Sequence, residues 1–367
     1  MKKHTKKIFK NVFLRVISLM LIAFIFVGSF CVVVKPNNIL INKLFGNKVD
    51  HDMILELWCI SSFESGTASK SSHLERVALE FEKQNKGDYI LISNMTVDEC
   101  ILKIESGGMP DIFSFSGDAG KVIEKYLVAI EPENNIKYCL RESAKNDLGE
   151  TLAYPWAVGG YVAISSGKRI ENSNNDFEID LFSNLMNLSY EKKLKKSTKT
   201  VYSLCFGAKN GNNPNQALLQ EYNLRNIKMN IEKNSIMPDF ENRTSYESYA
   251  SFLNGDSVVL LGTQRDLARI EMREKSGRED GFIIDYFSAY SDLVDYVGVA
   301  DKKDDVKLNI AKQFAKFLTQ ETAEKKLSKI GLFPTINLNE NLYQEQSKFF
   351  EFENKLKYLE VVPNIFI

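Results

Sequence analysis

Between residues 53 and 126 the chain repeats one unit three times: a short apolar run, a polar turn, then a helical pattern. Met53-Ile-Leu-Glu-Leu-Trp58 is apolar enough to be a strand buried on both faces, and Leu74, Val77, Ala78 and Phe81 keep helical spacing before Gly87. A second strand over 89–95 precedes Thr96 with Glu99, a capping box that opens a helix carrying Val97, Ile101 and Ile104 on one face. The Gly107-Gly108-Met109-Pro110 break leads into a third strand, 111–117, with Asp118 placed to cap a helix bearing Val122, Ile123 and Tyr126. Strands that alternate with helices predict a mainly parallel sheet flanked by helices, with ligands beyond the carboxyl ends of its strands. Trp58 and the serine-rich loop after it, together with 114–118, lie at those ends.

The stretch 152–165, Leu-Ala-Tyr-Pro-Trp-Ala-Val-Gly-Gly-Tyr-Val-Ala-Ile-Ser, has the makings of a passage from one lobe to another. Pro155 keeps Tyr154 extended, Gly159-Gly160 relaxes the backbone, and an alternating run resumes after them. Trp156 sits in this passage and is one of two tryptophans. Each tryptophan either anchors a core or offers a flat face to a ligand, and both fall at strand ends.

Further on, a helix is expected over 177–188 and a strand over 200–206. A basic cluster (Lys192, Lys193, Lys195, Lys196, Lys199) reads as a solvated helix end, and a helix over 214–224 follows. Thr244 with Glu247 opens another helix, and Asp256-Ser-Val-Val-Leu-Leu-Gly262 is a buried strand. Beyond a helix over 265–274 come strand-like runs at 282–287 and 295–300. An amphipathic helix begins at Asp304, and a last helix over 342–359 is expected to pack on the second lobe.

Charge and hydropathy set the location. Six basic residues precede the uncharged, apolar run 16–34, which is just long enough to span a bilayer, so everything after Lys35 is expected outside the cytoplasm. Cleavage after Ser29 and lipidation at Cys31 are the alternatives to a retained anchor. Residues 36–367 hold 40 basic residues against 48 acidic ones, which argues against nucleic acid as a partner. Cys59, Cys100, Cys139 and Cys205 have no C-x-x-C spacing, so they make no zinc site and are expected as buried free thiols, although export permits three disulfide pairings. His4, His51 and His73 lie far apart along the chain, giving no histidine-based triad or metal cluster. No cofactor is implied.

The strand ending in Trp58, the Leu-Glu-Arg-Val-Ala-Leu-Glu-Phe-Glu helix, Glu105-Ser-Gly-Gly-Met-Pro-Asp-Ile112, Tyr126-Leu-Val-Ala-Ile-Glu-Pro132 and Leu152-Ala-Tyr-Pro155 occur in a telling order. It resembles that of the extracellular solute-binding proteins of ABC importers, of the maltodextrin-binding type. The resemblance covers most of 53–335, and the Ser-Gly-Gly-x-Pro-Asp-Ile element is its most specific part. It implies an α/β, two-lobed fold, each lobe a mainly parallel sheet, after one N-terminal transmembrane or signal helix. The implied division is 1–35 stub and anchor, 36–52 tether, 53–155 with 260–300 as lobe 1, and 156–259 with 301–367 as lobe 2. The usual threonine-tryptophan-acid element is missing between 170 and 198.

The same resemblance implies a non-enzymatic receptor that closes on a small polar ligand, a carbohydrate first and a peptide or other solute next, and delivers it to ABC permease subunits. The expected ligand contacts are Trp58 and Trp156 as apolar faces, with Ser116, Asp118, Gly262 and Gln264 as hydrogen-bonding positions. An anchored sensor for a two-component system and an extracellular hydrolase are the rival readings.

Overall fold

The computed structural model describes residues 53–166, 190–193, 198–209, 212–227, 236–278 and 281–367. The expected membrane segment 16–34 and the helix expected over 177–188 lie outside them. Among the described residues no helix is long and apolar enough to cross a membrane.

The repeating unit folds as its pattern demands. Strand β1 (Met53–Ile60), helix α1 (Lys70–Gln84), β2 (Asp88–Met95), α2 (Val97–Glu105), β3 (Ile112–Ser116) and α3 (Gly117–Ile123) follow one another. After α4 (Tyr138–Glu142) come β4 (Ala153–Val158) and β5 (Tyr161–Ser166), then β6 (Tyr190–Lys193) and β7 (Thr198–Cys205). Helices α5 (Pro214–Leu224) and α6 (Ser245–Leu253), β8 (Ser257–Thr263), α7 (Gln264–Lys275), β9 (Phe282–Tyr286) and β10 (Val294–Val299) come next. Helices α8 (Asp305–Leu318), α9 (Glu321–Glu324) and α10 (Lys348–Leu356) close the chain.

Two sheets result, in the orders β2-β1-β3-β10-β4 and β6-β7-β8-β5-β9. In the first, β1 runs parallel to β2 and β3, and only β10 is reversed, paired antiparallel with β3 and β4. The second is mixed: β7 and β8 are parallel, while β5 is antiparallel to β8 and β9, and β6 to β7. The short β6–β7 connection forces that last reversal, because only a crossover lets neighbouring strands run the same way. It also corrects the reading of the lysine cluster: Lys192 and Lys193 belong to β6 and Lys199 to β7, so they flank a hairpin and not a helix end.

The sheets divide the chain differently from the expected boundaries. Residues 260–263 and 282–286, assigned to the first lobe, are in strands of the second sheet. Helix α8, assigned to the second lobe, covers the first sheet, where Phe314 and Phe317 meet Phe81 of α1 edge-on with centroids 5.3 and 5.6 Å apart. Its apolar stripe has to be buried on the sheet that β10 has just rejoined.

Local signals hold where one residue type decides. Thr96 with Glu99 and Thr244 with Glu247 form complete capping boxes, and Thr263 with Asp266 makes a third at the start of α7. Ser72 and Glu75 have capping-box spacing too, but both lie inside the helix. Helix α1 begins earlier, with the Ser69 hydroxyl accepting from Ser72 N at 3.2 Å, which lets Lys70 reach inward to a buried carboxylate. Asp118 lies inside the first turn of α3, and Ser116 takes the cap position. The last helix is shorter than expected, because the Glu353 carboxylate accepts from Leu342 N and Tyr343 N and holds the preceding chain as a turn. Cys59, Cys100 and Cys139 are free thiols.

The 152–165 passage does join the halves: β4 lies in the first sheet and β5 in the second, with Gly159-Gly160 between them. Two more segments pass beside it, 287–293 and 332–336. Val158 and Phe333 exchange both backbone hydrogen bonds (3.0 and 2.8 Å), and Gly159 N donates to Leu293 O at 2.6 Å. Both glycines are closely covered: a Cβ at Gly159 would stand 2.6 Å from Gln264 Oε1, and one at Gly160 2.7 Å from the Phe352 ring. The buried Glu324 carboxylate anchors the third passage, accepting from Thr335 N at 2.9 Å and from Thr335 Oγ1 at 2.6 Å.

Gly160→Val is therefore expected to lower stability in urea unfolding by about 1–3 kcal/mol through overpacking against Phe352. Burial pushes the Glu324 carboxyl from 4.5 up to about 8. A group raised in this way stabilises fully below its unfolded pKa, and that contribution is lost as the pH rises through the folded value. Stability should fall between about pH 4.5 and pH 8, and Glu324→Gln should flatten that slope in urea titrations run across the range.

Candidate functional site

Strands β1 and β2 are parallel neighbours, so their carboxyl ends, Ile60 and Met95, open on the same side. A groove of about 610 Å³ lies there, within the usual size of a small-molecule site. Its walls are the β1–α1 loop with Ser61, Phe63, Ser65 and Thr67, the end of β2 with Asn94 and Thr96, and Arg265 from α7 of the second half. Hydroxyl, amide and carboxylate side chains alternate there with apolar surface from Phe63, Ala68 and Met95, which suits a ligand bearing both hydrogen-bonding groups and apolar faces.

The groove's floor is a buried ion pair. Lys70 Nζ lies 2.7 Å from Asp295 Oδ2, and the two side chains are 5% and 2% exposed. Lys70 also donates to Ser61 Oγ at 2.5 Å and sits 3.0 Å above the Phe63 ring. Asp295 accepts from Ser116 Oγ at 2.8 Å, and Ser116 in turn accepts from Ser62 N at 3.3 Å. Burial pushes the lysine down and the carboxyl up, and each is opposed first by the charge of the other. The pair thus joins the groove loop, the end of β3 and the start of the return strand β10 into one polar unit. The Cys59 thiol behind it is pushed up by burial to about 12 and stays protonated.

The second half reaches across to the same loop. Gln264 Nε2 donates to Glu64 O at 2.6 Å, while its Oε1 accepts from Gly160 N at 3.0 Å in the passage itself. Arg265 Nη1 donates to Gly66 O at 2.9 Å, and Arg269 Nη2 meets Glu64 Oε2 at 3.0 Å. The α7 amino terminus, fixed by Thr263 and Asp266, aims all three side chains.

Of the expected contacts, Ser116 and Gln264 hydrogen-bond within this constellation from beneath the surface, for they are 1% and 0% exposed and do not line the groove. Asp118 is exposed in α3, and its charge bears on both Lys70 and Asp295. Gly262 lies beneath the Asp266 carboxylate, where a Cβ would stand 2.8 Å from Oδ2, so its role is to seat α7. Both tryptophans are corrections, for they are 0% and 1% exposed. Trp58 packs edge-on against Phe113, and Trp156 stacks on His73 at 5.3 Å and donates to Ser114 Oγ at 3.1 Å. A strand-end position does not make an indole face solvent when helices cover both sides of the sheet. His73 is pushed down to about 3, first by burial, and stays neutral. Lys70, Asp295, Glu64 and Arg265 went unseen because their pairings span up to 225 positions along the chain. The serine-rich loop was the visible signal.

Among the described residues no group of three or more His, Cys, Asp or Glu could hold a metal ion. No protein-family model matches the sequence, and no curated protein does. Solved structures do match. A family 1 extracellular solute-binding protein from Bifidobacterium longum subsp. infantis shares 15% identity over 86% of this chain and 89% of that one, with a TM-score of 0.59. Maltose-bound MalE3 of T. maritima shares 12% over 85% and 90%, at 0.56. The GacH receptor of Streptomyces glaucescens, solved unliganded and with acarbose, shares 11% over 86% and 89%, at 0.55. The fold is that of the two-lobed solute-binding proteins. Arg265 of α7 brings the second half to the wall of the groove at β1 and β2.

Lys70→Met strands a buried carboxylate and should destabilise the chain by about 3–5 kcal/mol, whereas Lys70→Met with Asp295→Leu should recover most of that loss. Thermal and urea unfolding of the two variants check this.

Proposed function

We propose that the chain is a solute-binding receptor on the outer face of the cell membrane, tethered through 16–34, that takes up a small polar ligand and hands it to an ABC importer. A carbohydrate is the favoured ligand, since hydroxyl-bearing side chains in the groove match sugar hydroxyls and the similar solved proteins include complexes with maltose and acarbose. The observation that carries the proposal is the groove lined by the β1–α1 loop of the first half and by Arg265 of the second, beside three passages that run between the halves. Ligand that touches both sides favours the closed form, and no covalent step is needed. His73 is sealed against Trp156 and unavailable as a base, which favours a receptor over a hydrolase.

A thermal-shift panel of maltotriose, stachyose, acarbose and short peptides tests this. A ligand at about 100 times its Kd adds about 2.7 kcal/mol and should raise the melting temperature by about 4 °C. No turnover of the bound sugar is expected. A panel without any shift, or products accumulating, would overturn the proposal.

A further inference from the structure

Helix α10 belongs to the second half. Ser347 Oγ and Lys348 N donate to Glu271 of α7 at 2.9 and 3.1 Å, and Phe352 packs on Tyr286 of β9 at 5.4 Å. Past α10 the chain changes sides. Val361 N donates to Ala289 O and Ser291 N donates to Val361 O, both at 3.0 Å, so the tail pairs with the return passage. It then docks on the first half: Asn364 Nδ2 donates to Lys145 O at 2.8 Å and Ile365 N donates to Ser143 O at 3.1 Å. Ile365 and Phe366 are buried, the latter with its ring 6.4 Å from Phe115. The seat on α3 is shaped for this, because a Cβ at Gly120 would stand 2.4 Å from Ile365 O.

We propose that residues 361–367 are a strap across the hinge, fixed to the second half through α10 and to the first through Ile365 and Phe366, that limits how far the halves open. The three passages bend when the halves part. A fourth segment fixed at both ends has to slide or detach, and detachment exposes two apolar side chains, which disfavours wide opening by about tenfold or more. The strap presupposes the hinged-receptor reading, and its test needs no ligand, so the two fail separately.

Spin labels at Leu102→Cys on α2 and Met272→Cys on α7, both exposed positions, report the distance between the halves in the 367-residue chain. Cys31→Ser and Cys139→Ser remove competing thiols. Pulsed dipolar measurements would compare this chain, one ending at Glu360, and Phe366→Ala, with thermal unfolding recorded alongside. The truncated chain is expected to gain long distances, its open-to-closed ratio rising about tenfold, and Phe366→Ala is expected to move the same way by less. The same distance distribution in all three, even with a lowered melting temperature, would overturn the strap and leave the tail as ordinary packing. Should the truncated chain not fold, Phe366→Ala decides alone.

Discussion

Three backbone segments that pass side by side between two sheets set the terms for everything else. Val158 and Phe333 bind each other as strand partners, and Gly159 binds Leu293, so the passages form a small hydrogen-bonded ribbon. Carboxylates hold the approaches: Glu221 accepts from Ser288 and Ala289 N, Asp292 from the Tyr161 hydroxyl, and Glu324 from Thr335. Each clamp ties a passage to a rigid neighbour, which confines rotation to the few residues between clamps. Hinge motion in two-lobed proteins depends on such confinement.

The same ribbon determines where the polar chemistry sits. Leu293 leads directly into β10, so Asp295 emerges at the carboxyl ends of β1 and β3, beside the loop that lines the groove. A buried ion pair contributes little net stability but is costly to break, and here it holds one loop conformation. Gln264 connects the passage at Gly160 to the loop at Glu64, so the passage and the groove loop are held by one side chain.

Much of the fold was legible because local rules and tertiary demands agreed. Alternating strands and helices, the Thr96 and Thr244 capping boxes, the 214–224 helix and the two-glycine passage all rest on neighbours within a few positions. The allocation of 260–263 and 282–286 to the second sheet and of α8 to the first was not legible, because strand order depends on pairings between distant segments. The site divided along the same line. Ser116 and Gln264 stand at strand ends that the pattern marks, but they are buried supports of the groove loop and not its walls, and Lys70 cannot be connected to Asp295 from spacing alone. The tryptophans misled because aromatic residues at strand ends serve a core as readily as a ligand, and helix packing on both faces decided for the core.

Hydrogen exchange with and without a bound oligosaccharide tests the central claim most directly, by following amides of 61–69 in the first half and 263–269 in the second. Closure of two rigid halves on a ligand in the groove predicts slower exchange in both segments together. Protection confined to one of them, or appearing only at a distant surface, would contradict it.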